Sequence, residues 1–189
     1  MSYDLSELSI LLVDDSRHMR LLVRRLFNAY GINRITEAKD GNEALEELSG
    51  RVPDLALIDY AMTPMDGITF TRHLRNARDS PAPYLPIIMM TGYTERDKVT
   101  AARDAGVNEL VAKPISALSV FNRLMAVIER PRPFIRSPNF VGPERRRRQL
   151  PYQGPERRGA ATPGASPAAD PAKAIGSPPG GASDDFLEI

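Results

Sequence analysis

The chain has 189 residues, a formal net charge of +1 and no cysteine, which excludes disulfides and thiol nucleophiles; two histidines, His18 and His73, all but exclude a zinc site. The length allows one domain plus an extension. Met1 to Ser9 carries no basic leader, and the apolar run behind it is too short for a signal peptide or a membrane span, so a cytoplasmic protein without membrane insertion is expected.

The first apolar run, Ile10 to Val13, reads as a strand and ends on the acidic pair Asp14-Asp15. Met19, Leu22, Val23, Leu26 and Phe27 then recur at helical spacing, with Ser16 as the N-cap and Gly31 as the stop. A weaker strand, Asn33 to Ala38, leads through the turn Asp40-Gly41 into a helix with Ala44, Leu45 and Leu48 inward. Leu55 to Ile58 is the next strand and delivers Asp59. Asp66-Gly67 opens a third helix through Phe70 and Leu74, and the breaker cluster Asp79 to Pro83 closes it. Ile87 to Met90 ends on Thr91, and a fourth helix runs from Glu95 to near Gly106. Glu109 to Ala112 ends on Lys113-Pro114. A fifth helix, Ser116 to Glu129, is expected to face Leu118, Phe121, Met125 and Ile128 inward. Five strands strictly alternating with five helices predict an α/β fold with a parallel sheet covered on both faces.

In such a sheet the site lies outside the carboxyl ends of the strands. Asp14, Asp15, Asp59, Thr91 and Lys113 each follow a strand there, so three carboxylates, a hydroxyl and an ammonium are expected in one crevice. Two unit charges about 4 Å apart interact by roughly 4 kcal/mol at an effective dielectric near 20. Clustered carboxylates therefore take up protons or recruit a cation. An all-oxygen donor set favours Mg2+, which takes one or two carboxylates plus phosphate and water. With such an ion present, Asp59 can act as a nucleophile toward phosphorus and form an acyl phosphate, with Thr91 and Lys113 on the phosphate oxygens. The lone His18 is expected at the surface without a role, and Met62, Met65, Met89 and Met90 are expected to pack.

From Pro131 the composition changes. Eleven of the 17 prolines lie in the last 59 residues, among Ala, Gly and Ser, and the segment 131–160 holds eight arginines against two glutamates. A segment so poor in large apolar groups does not offset its ordering entropy. The expected organisation is a domain over 1–130, an arginine-rich ligand-binding segment over 131–160 and a disordered tail over 161–189. Within it, Phe140-Val141-Gly142-Pro143-Glu144-Arg145-Arg146 recurs twelve residues on as Tyr152-Gln153-Gly154-Pro155-Glu156-Arg157-Arg158.

Arginine offers a planar fork that pairs bidentately with guanine O6 and N7 and stacks on bases. The adjacent glutamate can accept from guanine N–H groups, and the aromatic supplies a stacking surface. Two repeats therefore suggest two equivalent guanine sites. Contact with nucleic acid through phosphates, or with an anionic membrane surface, remains open on the residues alone. The terminal Asp184 to Ile189, acidic and apolar, is either a docking peptide or a frayed end.

Leu12-Val13-Asp14-Asp15-Ser16, Asp59 through Asp66-Gly67, Met90-Thr91-Gly92 and Ala112-Lys113-Pro114 together resemble the CheY-like receiver domain of bacterial response regulators, over about residues 8–130. The resemblance implies a flavodoxin-like five-stranded sheet and a phosphoacceptor Asp59 served by a histidine kinase or phosphotransfer protein. It implies Mg2+ held by Asp15, Asp59 and the Ala61 carbonyl, with Asp14 acting largely through water. It also implies that Thr91 shifts inward on phosphorylation and that Lys113 bridges to the phosphate. Two positions depart from that pattern. Leu110 stands where receivers often carry an aromatic switch residue, and Tyr93, two residues after Thr91, is bulky enough to hinder the hydrolytic water, so slow loss of phosphate is expected.

A receiver followed by a repeated Gly-Pro-Glu-Arg-Arg tail resembles the Cle group of CheY-like regulators, whose tails bind cyclic di-GMP and which act at the flagellar motor switch. Carried over, the contacts are Arg145, Arg146, Arg147, Arg148, Arg157 and Arg158, with Glu144 and Glu156 on the base edge, Arg132 and Arg136 outside them, and Tyr152 and Phe140 stacking or ordering the tail. The expected protein is a signalling adaptor and not an enzyme in the ordinary sense, docking on a motor switch protein. A plain phosphorelay shuttle and a nucleic-acid-binding regulator are the alternatives.

Overall fold

The computed structural model describes residues 3–92, 96–137 and 140–145, all of them within one compact unit. Strands β1 (Ser9–Val13), β2 (Arg34–Ala38), β3 (Leu55–Asp59), β4 (Ile87–Thr91) and β5 (Glu109–Ala112) form a sheet in the order β2-β1-β3-β4-β5. Every pairing is parallel. This is the flavodoxin-like order, with its switch point between β1 and β3. Helices α1 (Arg17–Ala29), α2 (Gly41–Gly50), α3 (Gly67–Asn76), α4 (Arg96–Ala105) and α5 (Ala117–Glu129) alternate with the strands, as the periodicity predicts.

The period-2 alternation of strand side chains sorts the core into two layers. Leu11, Val13, Ala56, Ile58, Ile87 and Met89 meet α2, α3 and α4 through Ala44, Leu48, Phe70, Leu74 and Ala102. Ile10, Leu12, Leu55, Leu57, Ile88 and Met90 meet α1 and α5 through Val23, Phe27, Val120 and Leu124. Burying each of the larger side chains, alanines aside, contributes about 1.5–3 kcal/mol.

Helix ends follow the sequence closely. Ser16 accepts from the Met19 amide, Asp40 from Asn42 and Glu43, Asp66 from Thr69, and Ser116 from Ser119 in a reciprocal capping box. Beyond α1, Gly31 takes φ +82°; its amide donates to Asn28 and that of Ile32 to Phe27, a Schellman closure that needs the left-handed residue.

The inward stripes differ in part from expectation. Leu22 is 46% exposed and Leu118 67% exposed. Val23 and Phe27, both in the expected stripe, form the buried i, i+4 seam of α1, and Val120 and Leu124 form that of α5. At 3.6 residues per turn Leu22, one position before Val23, is turned about 100° from the seam, and Leu118, two before Val120, about 200°.

The larger departure follows Glu129. The fold does not stop at residue 130: β6 (Phe134–Ser137) and β7 (Phe140–Pro143) form an antiparallel hairpin seated against α3 and α4. The Phe134 ring packs edge-on against Tyr84 at 5.6 Å and lies 4.9 Å from the Arg75 guanidinium. Val141, Gly142 and Pro143 are buried. Averaged over 59 residues the composition reads as tail. Four of its large apolar residues, Phe134, Ile135, Phe140 and Val141, nonetheless fall within two four-residue strands, and the hairpin buries Val141 and half-buries Phe134 and Phe140.

Arg75, on α3, is the anchor of that region. It is 2% exposed and donates to the carbonyls of Pro83, Leu85 and Gly106, with the Asn108 amide oxygen at 3.5 Å. No carboxylate pairs with it among the described residues, and burial pulls its pKa down to about 9. The carbonyls and the Phe134 face replace the counter-ion.

Candidate functional site

Parallel register brings the chemistry to one edge. Asp14 follows the last residue of β1, Asp59 and Thr91 close β3 and β4, and Lys113 follows β5. One carboxylate oxygen each from Asp14, Asp15 and Asp59 lies within 4.8 Å of the others. Lys113 Nζ is 2.8 Å from Asp59 Oδ2 and 3.5 Å from Asp14 Oδ2. Asp14, Asp59 and Thr91 are buried and Asp15 is exposed, so the cluster opens to solvent on the Asp15 side.

Main-chain bonds hold these groups in place. The Asp14 amide donates to Ala38, and its Oδ1 accepts from the Ser16 amide at 2.9 Å. Arg20 donates to the Asp14 carbonyl at 2.8 Å while paired with Glu37. The Lys113 amide donates to the Thr91 carbonyl at 2.7 Å, which ties the lysine to the end of β4. Gly67 donates its amide to Tyr60, and a Cβ there would stand 2.3 Å from the Asp59 carbonyl oxygen. Only glycine permits that approach.

Burial makes Asp14 a weaker acid than an ordinary carboxyl, and the Asp59 charge adds to the effect; the Ser16 amide and Lys113 oppose it. Burial pulls the Lys113 ammonium down, but its hydrogen bond to Asp59 and the charges of Asp59 and Asp14 outweigh that and raise its pKa. Both shifts describe a site short of positive charge. Three clustered carboxylates with a solvent-open side form a hard oxygen donor set and fit Mg2+.

Four of the five residues picked from the sequence, Asp14, Asp15, Asp59 and Lys113, therefore converge, and Thr91 closes the neighbouring strand, its carbonyl bonded to the Lys113 amide. Ala61 lies exposed in the loop two residues beyond Asp59, and His18 is exposed, in keeping with the surface position expected for it. Tyr93 lies outside the described residues. Sequence reading missed Arg20, for which spacing gives no signal, and Gly67, which it took as a helix-entry turn only. It also missed Lys98 on α4, whose ammonium lies 5.7 Å from the ring of Tyr60, the residue after Asp59.

In the arginine-rich segment, Arg132 pairs with Glu109 at 3.6 Å and donates to the Glu144 carbonyl at 3.3 Å. Arg136 is exposed on β6, opposite Val141. The Glu144 amide donates to Pro133 at 2.8 Å, and its side chain is half-buried. Arg145 lies 4.1 Å over the Phe140 ring and 3.4 Å from Asp104. Arg146, Arg147, Arg148, Tyr152, Glu156, Arg157 and Arg158 lie outside the described residues.

A doubly wound parallel sheet with three carboxylates and a lysine at its carboxyl edge defines an α/β domain with an acidic pocket outside its strand ends. Residues 10–125 match the response regulator receiver domain, and the chain belongs to that family. It is 34% identical over 123 residues to chemotaxis protein CheY-3 of Vibrio cholerae, covering 65% of this chain and 93% of that protein. The crystal structure of Vibrio cholerae CheY4 superposes with a TM-score of 0.59 at 28% identity, over 64% of this chain and 98% of that one. The receiver domain of sensor histidine kinase PA1611 from Pseudomonas aeruginosa, which has a magnesium ion coordinated in its active site cleft, gives 0.56 at 25% identity, over 62% and 94%. The family match ends within α5, so the hairpin and the arginine repeat lie beyond it.

Proposed function

We propose that this chain is a cytoplasmic single-receiver adaptor: Asp59 accepts a phosphoryl group from a histidine kinase or phosphotransfer protein, and the arginine-rich segment binds cyclic di-GMP. Output is docking on a partner, in this reading a flagellar motor switch protein. The observation that carries the proposal is the convergence of Asp14, Asp15, Asp59 and Lys113, with Lys113 Nζ 2.8 Å from one oxygen of Asp59.

The other Asp59 oxygen attacks phosphorus. A P–O bond forms as the P–N bond of a phosphohistidine breaks, and the electron pair leaves with the imidazole nitrogen, which takes a proton. Asp15, Asp59 and the Ala61 carbonyl would hold the metal, with Asp14 beside them, and Mg2+ bound there would neutralise charge on the phosphoryl oxygens. Lys113, held to Asp59, is placed to pair with the charge added to that side chain. Thr91, at the end of β4, is placed to donate its hydroxyl to a phosphoryl oxygen. Radiolabelled acetyl phosphate with Mg2+ tests the transfer: wild type takes up label and Asp59→Asn does not. Equal labelling of both proteins overturns the assignment.

The dinucleotide half rests on the residue chemistry of the repeat and on the exposure of Arg145, in its first copy, just after β7. Calorimetry with cyclic di-GMP on the full chain and on a variant with Arg145 to Arg148 changed to alanine tests it. Binding by wild type and its loss in the variant are expected, and no heat from wild type ends the reading. Salt-sensitive binding of any DNA or RNA would favour a nucleic-acid regulator instead.

A further inference from the structure

We infer that Asp104 is the resting occupant of the anion position offered by Arg145, so that an incoming phosphate or guanine edge must displace it. The inference rests on the dinucleotide reading above and specifies how that site is regulated.

Arg145 is not idle at the end of β7. Its guanidinium lies over the Phe140 ring at 4.1 Å, and its Nη2 is 3.4 Å from Asp104 Oδ1. The fork of an arginine recognises carboxylate and phosphate by the same geometry, so an internal carboxylate is a chemical stand-in for a phosphate oxygen. Asp104 is an unfavourable residue where it stands. It lies in the last turn of α4, where the helix dipole already presents negative charge. Its compensation comes from two arginines that share the same oxygen: Arg145, and Arg103 Nε at 3.2 Å.

That sharing makes exchange feasible. When a ligand takes Arg145, Asp104 keeps Arg103, and no charge is stranded. The hairpin does not depend on the pair for its seat. Gly142 lies against the Gly106 Cα, and Phe134 is held between Tyr84 and Arg75. Arg145 can therefore turn away while β7 stays docked. The side chains of Arg145 and Asp104 are 43% and 40% exposed, so solvent screens the pair and competition is a matter of a few-fold.

The test compares the full-length wild type with Asp104→Asn and Asp97→Asn. Asp97 lies on the same helix, two turns away, about 10 Å along the axis and so about one Debye length off. It removes the same charge without touching Arg145. With fluorescent cyclic di-GMP, Asp104→Asn should bind about three- to fivefold tighter than wild type, and Asp97→Asn should match wild type. In the ligand-free proteins, hydrogen exchange at the Glu144 amide, which donates to Pro133, should stay at the wild-type rate in both variants, because the hairpin seat does not depend on the pair. Equal tightening in both variants overturns the inference, because bulk charge then explains it. Unchanged binding in Asp104→Asn, with wild-type binding intact, also overturns it and leaves the dinucleotide reading standing, and so does faster exchange in that variant, because a loosened hairpin then explains the tightening. Absence of binding in all three proteins overturns the dinucleotide reading and the competition with it.

Discussion

Asp14 is fully buried, and that burial, with the Asp59 charge, makes its carboxyl a weaker acid than usual. Its folded pKa lies above the unfolded one, so the metal-free fold binds a proton more readily than the open chain. The contribution favours folding below the ordinary carboxylate value and is lost as pH rises through the raised value. Asp14→Asn should therefore stabilise the metal-free protein near neutral pH by about 1 kcal/mol, since release from burying a charge exceeds the lost interactions with the Ser16 amide and Lys113. Denaturant melts check this. The same variant should lose most of the added stability that Mg2+ confers on wild type. In wild type, the Mg2+-dependent rise in Tm should fade on acidification already above the ordinary carboxylate range, because protons compete for Asp14 first. Thermal melts with and without Mg2+ across pH 4–7 measure it. Asp14 and Asp59 were legible in the sequence because each follows an apolar run whose end sets its place. Gly67 was legible only as a turn. What demands glycine there is a carbonyl oxygen of Asp59, delivered by β3, and no spacing rule reports such a distance.

At the scale of elements, strands and helices could be read from periodicity because both layers of the core repeat a simple pattern. The hairpin could not. Its seat is made by distant residues; Phe134 meets Tyr84 and Arg75, both some fifty to sixty positions upstream. Arginine within β6 and proline and asparagine between the strands dilute the composition further. The misplaced Leu118 has a related cause, because a helix with apolar residues on several sides does not declare which stripe the sheet selects. Phe134→Ala should cost about 2 kcal/mol, less than the 3–5 kcal/mol of a fully buried phenylalanine because the residue is only half-buried. Arg75→Met should cost about 3 kcal/mol, since the carbonyls of Pro83, Leu85 and Gly106 lose their donor. Urea unfolding with an unchanged m-value is the expected form of both losses.

Taken whole, the molecule divides its chemistry by place. The acidic pocket lies at the carboxyl ends of the strands, whereas the hairpin is tied to Glu109 and to Gly106, at the amino end of β5. Helix α4 touches both regions, with Lys98 near its start beside Tyr60 and Asp104 near its end beside Arg145. Because the hairpin is seated on residues of α3 and α4, it should unfold with the receiver. Tyr30 reports on the α1–α5 layer and Tyr84 on the hairpin seat. Tyrosine absorbance and far-ultraviolet circular dichroism should trace one coincident thermal transition in the full chain, and two separated transitions would contradict that.

The seat itself sets a rule for inheritance. Gly106 has φ +98°, and a methyl group there would stand 2.7 Å from the Val141 carbonyl oxygen; one on Gly142 would stand 2.7 Å from the Gly106 Cα. Neither glycine can be exchanged alone, because each leaves the other no space. The arm is thus not a portable appendage. Grafted onto a sister domain with any side chain before its fifth strand, it would find no berth, and recombination would have to carry the helix terminus along with the appendix.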